Sequence, residues 1–200
     1  FRNLLSLLKS EKPNCLVAAF DSRTPTFRHE MYPEYKATRA KTPEDLHSQI
    51  PIIEEILTSL GIKVIREDGF EADDIIATIS AKCEKANREC RILSSDKDLM
   101  QLVTNKTLIM RPGKVNPWEL VRAAEVEAEW GVPPTKMLDI LSLIGDSADN
   151  VPGVSGVGIK TALKLLTTYG SLDGIYQNAN EIKGAIGEKI RSGKESAYFS

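Results

Sequence analysis

Two short apolar runs in this chain each end on an aspartate, and this feature restricts the fold more than any other. Residues 15–21 read CLVAAFD, and residues 90–96 read CRILSSD. The first, apolar at every position before its aspartate, reads as a parallel strand covered on both faces, and the second as a further strand ending in a carboxylate. The segments between and after them alternate in type. IKVIRE (62–67) reads as a strand, EADDIIATISAKCEKA (71–86) as a helix with Ile75, Ile76 and Ile79 inward, KDLMQLV (97–103) as a short helix and NKTLIMR (105–111) as a strand. Strands alternating with helices predict an α/β fold, a mostly parallel sheet flanked by helices.

Local signals set the remaining elements. FRNLLSLLKS is an apolar-rich helical run, and Thr42-Pro43-Glu44-Asp45 starts a helix with Thr42 as cap and Pro43 in the first turn. That helix continues through QIPIIEEILTSL, with a kink expected near Pro51, and stops at Gly61. Beyond about residue 115 the pattern becomes helical, with short helices over roughly 117–129 and 134–143, a glycine-rich loop, and a helix over roughly 158–168. The division expected is an α/β core over 1–115 and a helical region over 116–200. The opening and closing residues read as those of an excerpt from a longer protein.

Composition narrows the class. Hydrophobic residues make up 42% and charged residues 27%, as in ordinary globular proteins. No stretch approaches the roughly 20 apolar residues that span a bilayer, so no membrane partner is expected. Cys15, Cys83 and Cys90 are too scattered for a zinc site and odd in number, which fits a reducing, cytoplasmic setting. The net charge of −2 hides an asymmetry: residues 22–41 carry Arg23, Arg28, Lys36, Arg39 and Lys41 against only Glu30 and Glu34. Lys36 and Arg39, three apart, would share a face if this segment were helical.

Four acidic clusters stand against that basic segment: Asp21; Glu71, Asp73 and Asp74; Asp96 and Asp98; Asp146 and Asp149. Asp21 and Asp96 close two strands, at the edge where open α/β sheets build sites. Each cluster alone has an ordinary explanation, as a helix cap, a turn former or a loop residue. Eight carboxylates gathered at one edge, however, repel unless cations lie among them. Oxygen ligands without His or Cys point to magnesium or manganese, and a set this large to two ions. His29 and His47 read as surface residues.

Four motifs in this order resemble one family. They are FDSRTPTFRHEMYPEYKATR, GFEADDIIATI, ILSSDKDLMQLV and LIGDSADNVPGVSGVGIKTALKLL. Order and spacing are similar to the 5′-nuclease domain of bacterial DNA polymerase I, with flap endonucleases and phage 5′-nucleases as more distant members. The resemblance implies a PIN-like nuclease core and a metal centre formed by Asp21, Glu71, Asp73, Asp74, Asp96, Asp98, Asp146 and Asp149. It implies one further aspartate on a strand upstream of Phe1, which nothing here matches. It makes the basic segment, 22–45, a helical arch for a single-stranded 5′ end. Lys36 and Arg39 would contact the scissile phosphate, Tyr35 would stack on a base, and Arg28 would hold a backbone phosphate. Residues 151–166 would form a helix-hairpin-helix element that grips duplex backbone through Gly153, Gly156, Gly158, Lys160 and Thr161, with a potassium ion at the hairpin. The glycines keep that turn bare, so backbone N–H groups can approach phosphate.

The expected activity is therefore hydrolysis of phosphodiesters at 5′ flaps, nicks and overhangs of DNA, in primer removal and repair. The expected setting is the bacterial nucleoid, as a monomeric unit with a polymerase domain in the same full-length chain. A non-catalytic DNA-binding fragment and a magnesium-dependent phosphatase are the alternatives. The phosphatase explains neither the hairpin nor the arch.

Overall fold

The computed structural model describes residues 2–40, 43–113 and 116–200. By internal contacts the chain divides into two units. Residues 1–30 and 40–76 form the first, and 31–39 with 77–200 form the second.

In the first unit, helix α1 (Arg2–Glu11) precedes strand β1 (Val17–Ala19), helix α2 (Phe27–Met31) closes at the unit's edge, and helix α3 (Glu44–Ser59) leads to strand β2 (Lys63–Ile65). Strands β1 and β2 pair in parallel, Val17 opposite Lys63 and Ala19 opposite Ile65. Only three residues of CLVAAFD are paired, and the run continues as a hydrogen bond from Phe20 N–H to Ile65 C=O (2.9 Å). Helix α3 runs through Pro51 without interruption; Pro43 precedes its first residue, and the cap expected at Thr42 lies outside the described residues. Gly61, just past its end, takes the left-handed conformation (φ 73°) that a Cβ disfavours.

Helix α4 (Ala72–Lys85) begins in the first unit and ends in the second, where strand β3 (Cys90–Leu93) and strand β4 (Thr107–Pro112) pair in parallel. Thr107 is fully buried, and its hydroxyl meets that of Ser80 on α4 at 3.0 Å. A buried hydroxyl needs a partner, and this pair satisfies two at once.

The helix expected from residue 117 is instead preceded by a fifth strand. Strand β5 (Trp118–Val121) pairs antiparallel with β4, Ile109 opposite Val121, and helix α5 (Ala123–Trp130) follows. In WELV, Trp118 and Leu120 are half-buried, Glu119 is exposed and Val121 is fully buried, so four residues show no clear period of two that would separate them from a helix start. Two of the three strand pairings are parallel, so the unit sheets are mostly parallel and flanked by helices.

Helices α6 (Met137–Ile144), α7 (Ile159–Tyr169), α8 (Leu172–Gln177), α9 (Gly184–Ser192) and α10 (Lys194–Phe199) complete the second unit. Met137, Ile140, Leu143, Ala162, Ile175, Ile190 and Ala197 are fully buried among them. Burying each large aliphatic side chain contributes about 1.5–3 kcal/mol, so this apolar core fixes the loop that joins α6 to α7.

That loop is closed by glycine. Gly145 (φ 70°) and Gly153 (φ 59°) stand back to back, and a Cβ on Gly153 would lie 2.5 Å from the Ile144 carbonyl carbon. An antiparallel bridge joins Asp146 to Val151, with N–H to O distances of 2.8 and 2.7 Å. No helix among the described residues is long and apolar enough to cross a membrane.

Candidate metal centre and nucleic-acid interface

The bridged loop delivers two carboxylates. Asp146 accepts the backbone N–H of Ala148 at 2.8 Å, which orients its side chain. Asp149, 9% exposed, follows on the same turn. The third carboxylate comes from beyond β3, where Asp98 opens a short 3-10 turn (Asp98–Leu102). Asp96 accepts the Asp98 N–H at 2.9 Å and so caps that turn. One oxygen from each of Asp98, Asp146 and Asp149 lies within 4.8 Å of the others. Three hard oxygen donors at that spacing, with no His or Cys, fit a divalent cation of the magnesium or manganese type.

Cations of the protein face this group. Lys97, whose role composition did not reveal because it stands between two acids, bonds Asp146 and lies 3.3 Å from Asp98. Asp149 accepts the Tyr35 hydroxyl at 3.2 Å, pairs with Arg39, and lies 3.8 Å from the Lys36 ammonium. The Lys36 N–H also donates to the Asp149 carbonyl at 2.9 Å.

The segment carrying these groups is not a helix. After α2, residues 32–39 form successive turns, and Lys36 has φ 57°. Pro33 removes a backbone donor at the start of that stretch, and the left-handed Lys36 breaks any helical register. Lys36 and Arg39 therefore do not share a helix face; they meet at Asp149 through turn geometry. Tyr35 is buried at 8% exposure, with the Lys36 ammonium 4.9 Å from its ring centre. Its ring is covered rather than offered to solvent.

Burial sets the protonation balance. Burial, with the Asp96 carboxylate adding to it, pushes Asp98 above the ordinary aspartate range against the pull of Lys97. For Asp146 burial acts in the same direction but is outweighed by hydrogen bonds from Lys97 and the Ala148 N–H, which hold it below its ordinary value. Burial pulls Lys97 down, yet Asp146 and Asp98 together hold it above the usual lysine value.

These directions give a pH prediction. A raised Asp98 favours folding of the metal-free protein below its unfolded pKa, and that contribution disappears as pH rises through the folded value. The lowered Asp146 contributes above its unfolded pKa and loses that as pH falls through its folded value. Metal uptake needs both carboxylates ionised. Manganese affinity, read by electron paramagnetic resonance across a pH series from neutral to acid, is expected to drop as Asp98 gains its proton, and to do so at higher pH than an ordinary aspartate would. Equal affinity at both ends would remove Asp98 from the coordination.

The first unit holds the other candidate residues. Asp21 follows β1 and accepts the Ala72 N–H at the start of α4 (2.8 Å), a favourable place for negative charge. Glu71 is 7% exposed, and Asp73 and Asp74 occupy the first turn of α4. Arg28 on α2 donates to both oxygens of Asp74, each at 2.8 Å, and lies 3.8 Å from Glu71. This fork-to-carboxylate geometry is the strong form of an ion pair. Asp74 also accepts the Glu71 N–H at 3.0 Å.

In the second unit the remaining candidates line the turn before α7. Gly153 is buried, while Gly156, Gly158 and Lys160 are exposed and Thr161 is half-buried. Gly158 precedes the first residue of α7, and no side chain caps that end. Helices α6 and α7, with the glycine-closed loop between them, make a helix-hairpin-helix element.

Known proteins place this architecture. The chain superposes over 99% of its length on the phage T5 5′-exonuclease, which was solved with zinc bound, with a TM-score of 0.81 at 22% identity and 76% of that chain covered. A bacteriophage T5 flap endonuclease, solved in a pseudo-enzyme–product complex with DNA and metal ions, matches over 99% of the present chain and 76% of its own with a TM-score of 0.82 at 20% identity. The fold is thus that of the 5′-nucleases, a PIN-like core followed by a helical SAM-type region.

Sequence makes the assignment narrower. Residues 1–131 match the 5′-3′ exonuclease N-terminal resolvase-like domain, and residues 132–200 match the 5′-3′ exonuclease C-terminal SAM fold. The chain belongs to the 5′-3′ exonuclease family, whose members are metal-dependent nucleases that hydrolyse phosphodiester bonds. DNA polymerase I of Treponema pallidum (strain Nichols) is 51% identical over all 200 residues, and thermostable DNA polymerase I of Thermus thermophilus is 39% identical over 199. The chain spans 20% and 23% of those polymerases.

Proposed function

We propose that this chain is the 5′-nuclease portion of a DNA polymerase I and that it cuts DNA at 5′ ends, flaps and nicks. The observation that carries this reading is the oxygen cluster of Asp98, Asp146 and Asp149, with Lys36 and Arg39 meeting at Asp149. Two magnesium or manganese ions are the cofactors proposed. The reading gives ligand roles to Asp96, Asp98, Asp146 and Asp149 in the second unit and to Asp21, Glu71, Asp73 and Asp74 in the first. When bound, such ions supply a water of lowered pKa and neutralise charge developing on phosphate.

The chain's own groups then act on the substrate. Lys36 and Arg39 donate to the oxygens of the phosphate being cut, exchanging their bonds with Asp149 for bonds with an anion that gains charge at the transition state. Arg28 holds a backbone phosphate, and Tyr35 stacks on a base once its ring is uncovered. The turn of Gly153, Gly156 and Gly158, with Lys160 and Thr161, holds duplex backbone, which positions DNA without reading its sequence. A potassium ion at the hairpin belongs to the same reading. The T5 flap endonuclease solved with DNA and metal ions supports the substrate class, and the polymerase relatives support a polymerase domain in the full-length protein. Replication primer removal and repair at the nucleoid, as a monomeric unit, complete the proposal.

The test is cleavage of a 5′-labelled flap duplex. Cutting is expected with magnesium, to vanish on chelation and to return when magnesium is restored. Binding without cutting under all metal conditions would make the chain a DNA-holding module instead.

A further inference from the structure

Helices α9 and α10 grip the hairpin turn from behind. The Ser196 hydroxyl donates to the Gly153 carbonyl, and the Gly153 N–H donates to the Ser200 hydroxyl at 3.0 Å. Gly193, between the two helices, leaves room for Val154: a Cβ there would lie 2.7 Å from the Val154 side chain. The fourth contact differs in kind. The Lys189 ammonium donates to the Gly156 carbonyl at 3.1 Å, and both residues are exposed.

A hydrogen bond between two exposed groups adds little to stability, because water competes for each. The contact nevertheless places a full positive charge on the bare outer turn. Gly156 has φ 72° and carries no side chain, and a Cβ there would come within 2.5 Å of that ammonium, so the lysine lies directly against the bare turn. An ammonium has three donors, and the carbonyl takes one. The other basic residues of α9 and α10 are engaged elsewhere. Arg191 donates to the carbonyls of Ala179 and Ile182, and Lys194 lies over the rings of Tyr176 and Tyr198.

We propose that Lys189 is a further phosphate-binding residue of the hairpin, bridging the Gly156 carbonyl to the backbone of duplex DNA. This inference rests on the DNA reading above. Each phosphate neutralised by a protein cation releases counterions and steepens the dependence of binding on salt, by about 0.9 in the log–log slope.

The experiment measures binding of the full chain to a duplex-armed flap DNA, in chelator, across a salt series. The proteins compared are the parent, Lys160→Ala, Lys189→Gln, Lys189→Met and Lys189→Arg. Lys189→Gln and Lys189→Met are expected to make the slope shallower by about 0.9, while Lys189→Arg keeps it. Thermal melting of the free proteins is expected to be unchanged. A slope that stays at the parent value in both neutral variants overturns the proposal. Weaker binding at an unchanged slope, or a lower melting temperature in both variants, likewise makes Lys189 a prop for the turn. A parent protein whose binding shows no salt dependence would sink the DNA reading itself. If Lys160→Ala flattens the slope and the Lys189 variants do not, only the role given to Lys189 fails.

Discussion

Asp98→Asn is expected to slow metal-dependent cleavage by at least about a thousandfold, equivalent to roughly 4 kcal/mol at the transition state. The substitution keeps the size of the side chain and removes its charge. The backbone N–H that Asp96 accepts is untouched, so the 3-10 turn should keep its shape. Lys97 retains Asp146 as its main partner. What is lost is the negative charge of one of three carboxylates whose oxygens lie within 4.8 Å of one another. Affinity for flap DNA in chelator should stay near the parent value, because the phosphate contacts proposed lie on Arg28, the 32–39 segment and the hairpin, not on Asp98. Single-turnover cleavage and manganese binding, measured on the same preparation, decide the matter. A variant that cuts within a few-fold of the parent removes Asp98 from the centre.

The second large effect is on stability. Gly153→Ala should destabilise the second unit by about 3 kcal/mol, from the left-handed backbone and a clash with backbone that cannot swing away. The Cβ would press on Ile144 and Gly145, the latter's Cα at 2.8 Å, and Gly145 in turn has Pro152 and Gly153 against it. For a chain of this size that is a fall of roughly 6–12 °C in melting temperature. Gly158 offers the contrast, since a Cβ there meets nothing within 4 Å and its φ is ordinary. Gly158→Ala should melt close to the parent. Similar melting of Gly153→Ala and Gly158→Ala would show that the loop opens easily and that the packing described at Gly145 and Gly153 carries little energy.

Much of the architecture was legible because the signals were local. Apolar runs placed β1 to β4, and Pro and Gly punctuation placed α3. Strand β5 was missed because WELV takes its identity from its neighbour: only pairing with β4 separates a four-residue strand from the first turn of the following helix. The 32–39 segment misled for a related reason. A spacing of three between Lys36 and Arg39 implies a shared face only if the backbone is helical, and Lys36 instead takes a positive φ and gives its N–H to the carbonyl of residue 149, far along the chain. The acids themselves were visible as clusters. That three of them meet depends on contacts between segments far apart in the chain, and that Tyr35, Lys36 and Arg39 meet one of these depends on contacts across more than a hundred residues, which no window along the sequence contains. Lys97 and Lys189 carried no periodic or motif signal of their own.

The bridge from Asp146 to Val151 has a consequence for where a strand would be cut. Two carboxylates of the cluster and the first residue of the hairpin segment share one short, closed stretch of backbone, braced by glycines that leave no slack. On the function proposed above, chemistry and duplex grip would be tied together, and the stretch would work as a caliper: its jaws set by a hydrogen-bonded backbone bridge, the interval from duplex edge to cut a property of this loop rather than of the DNA sequence.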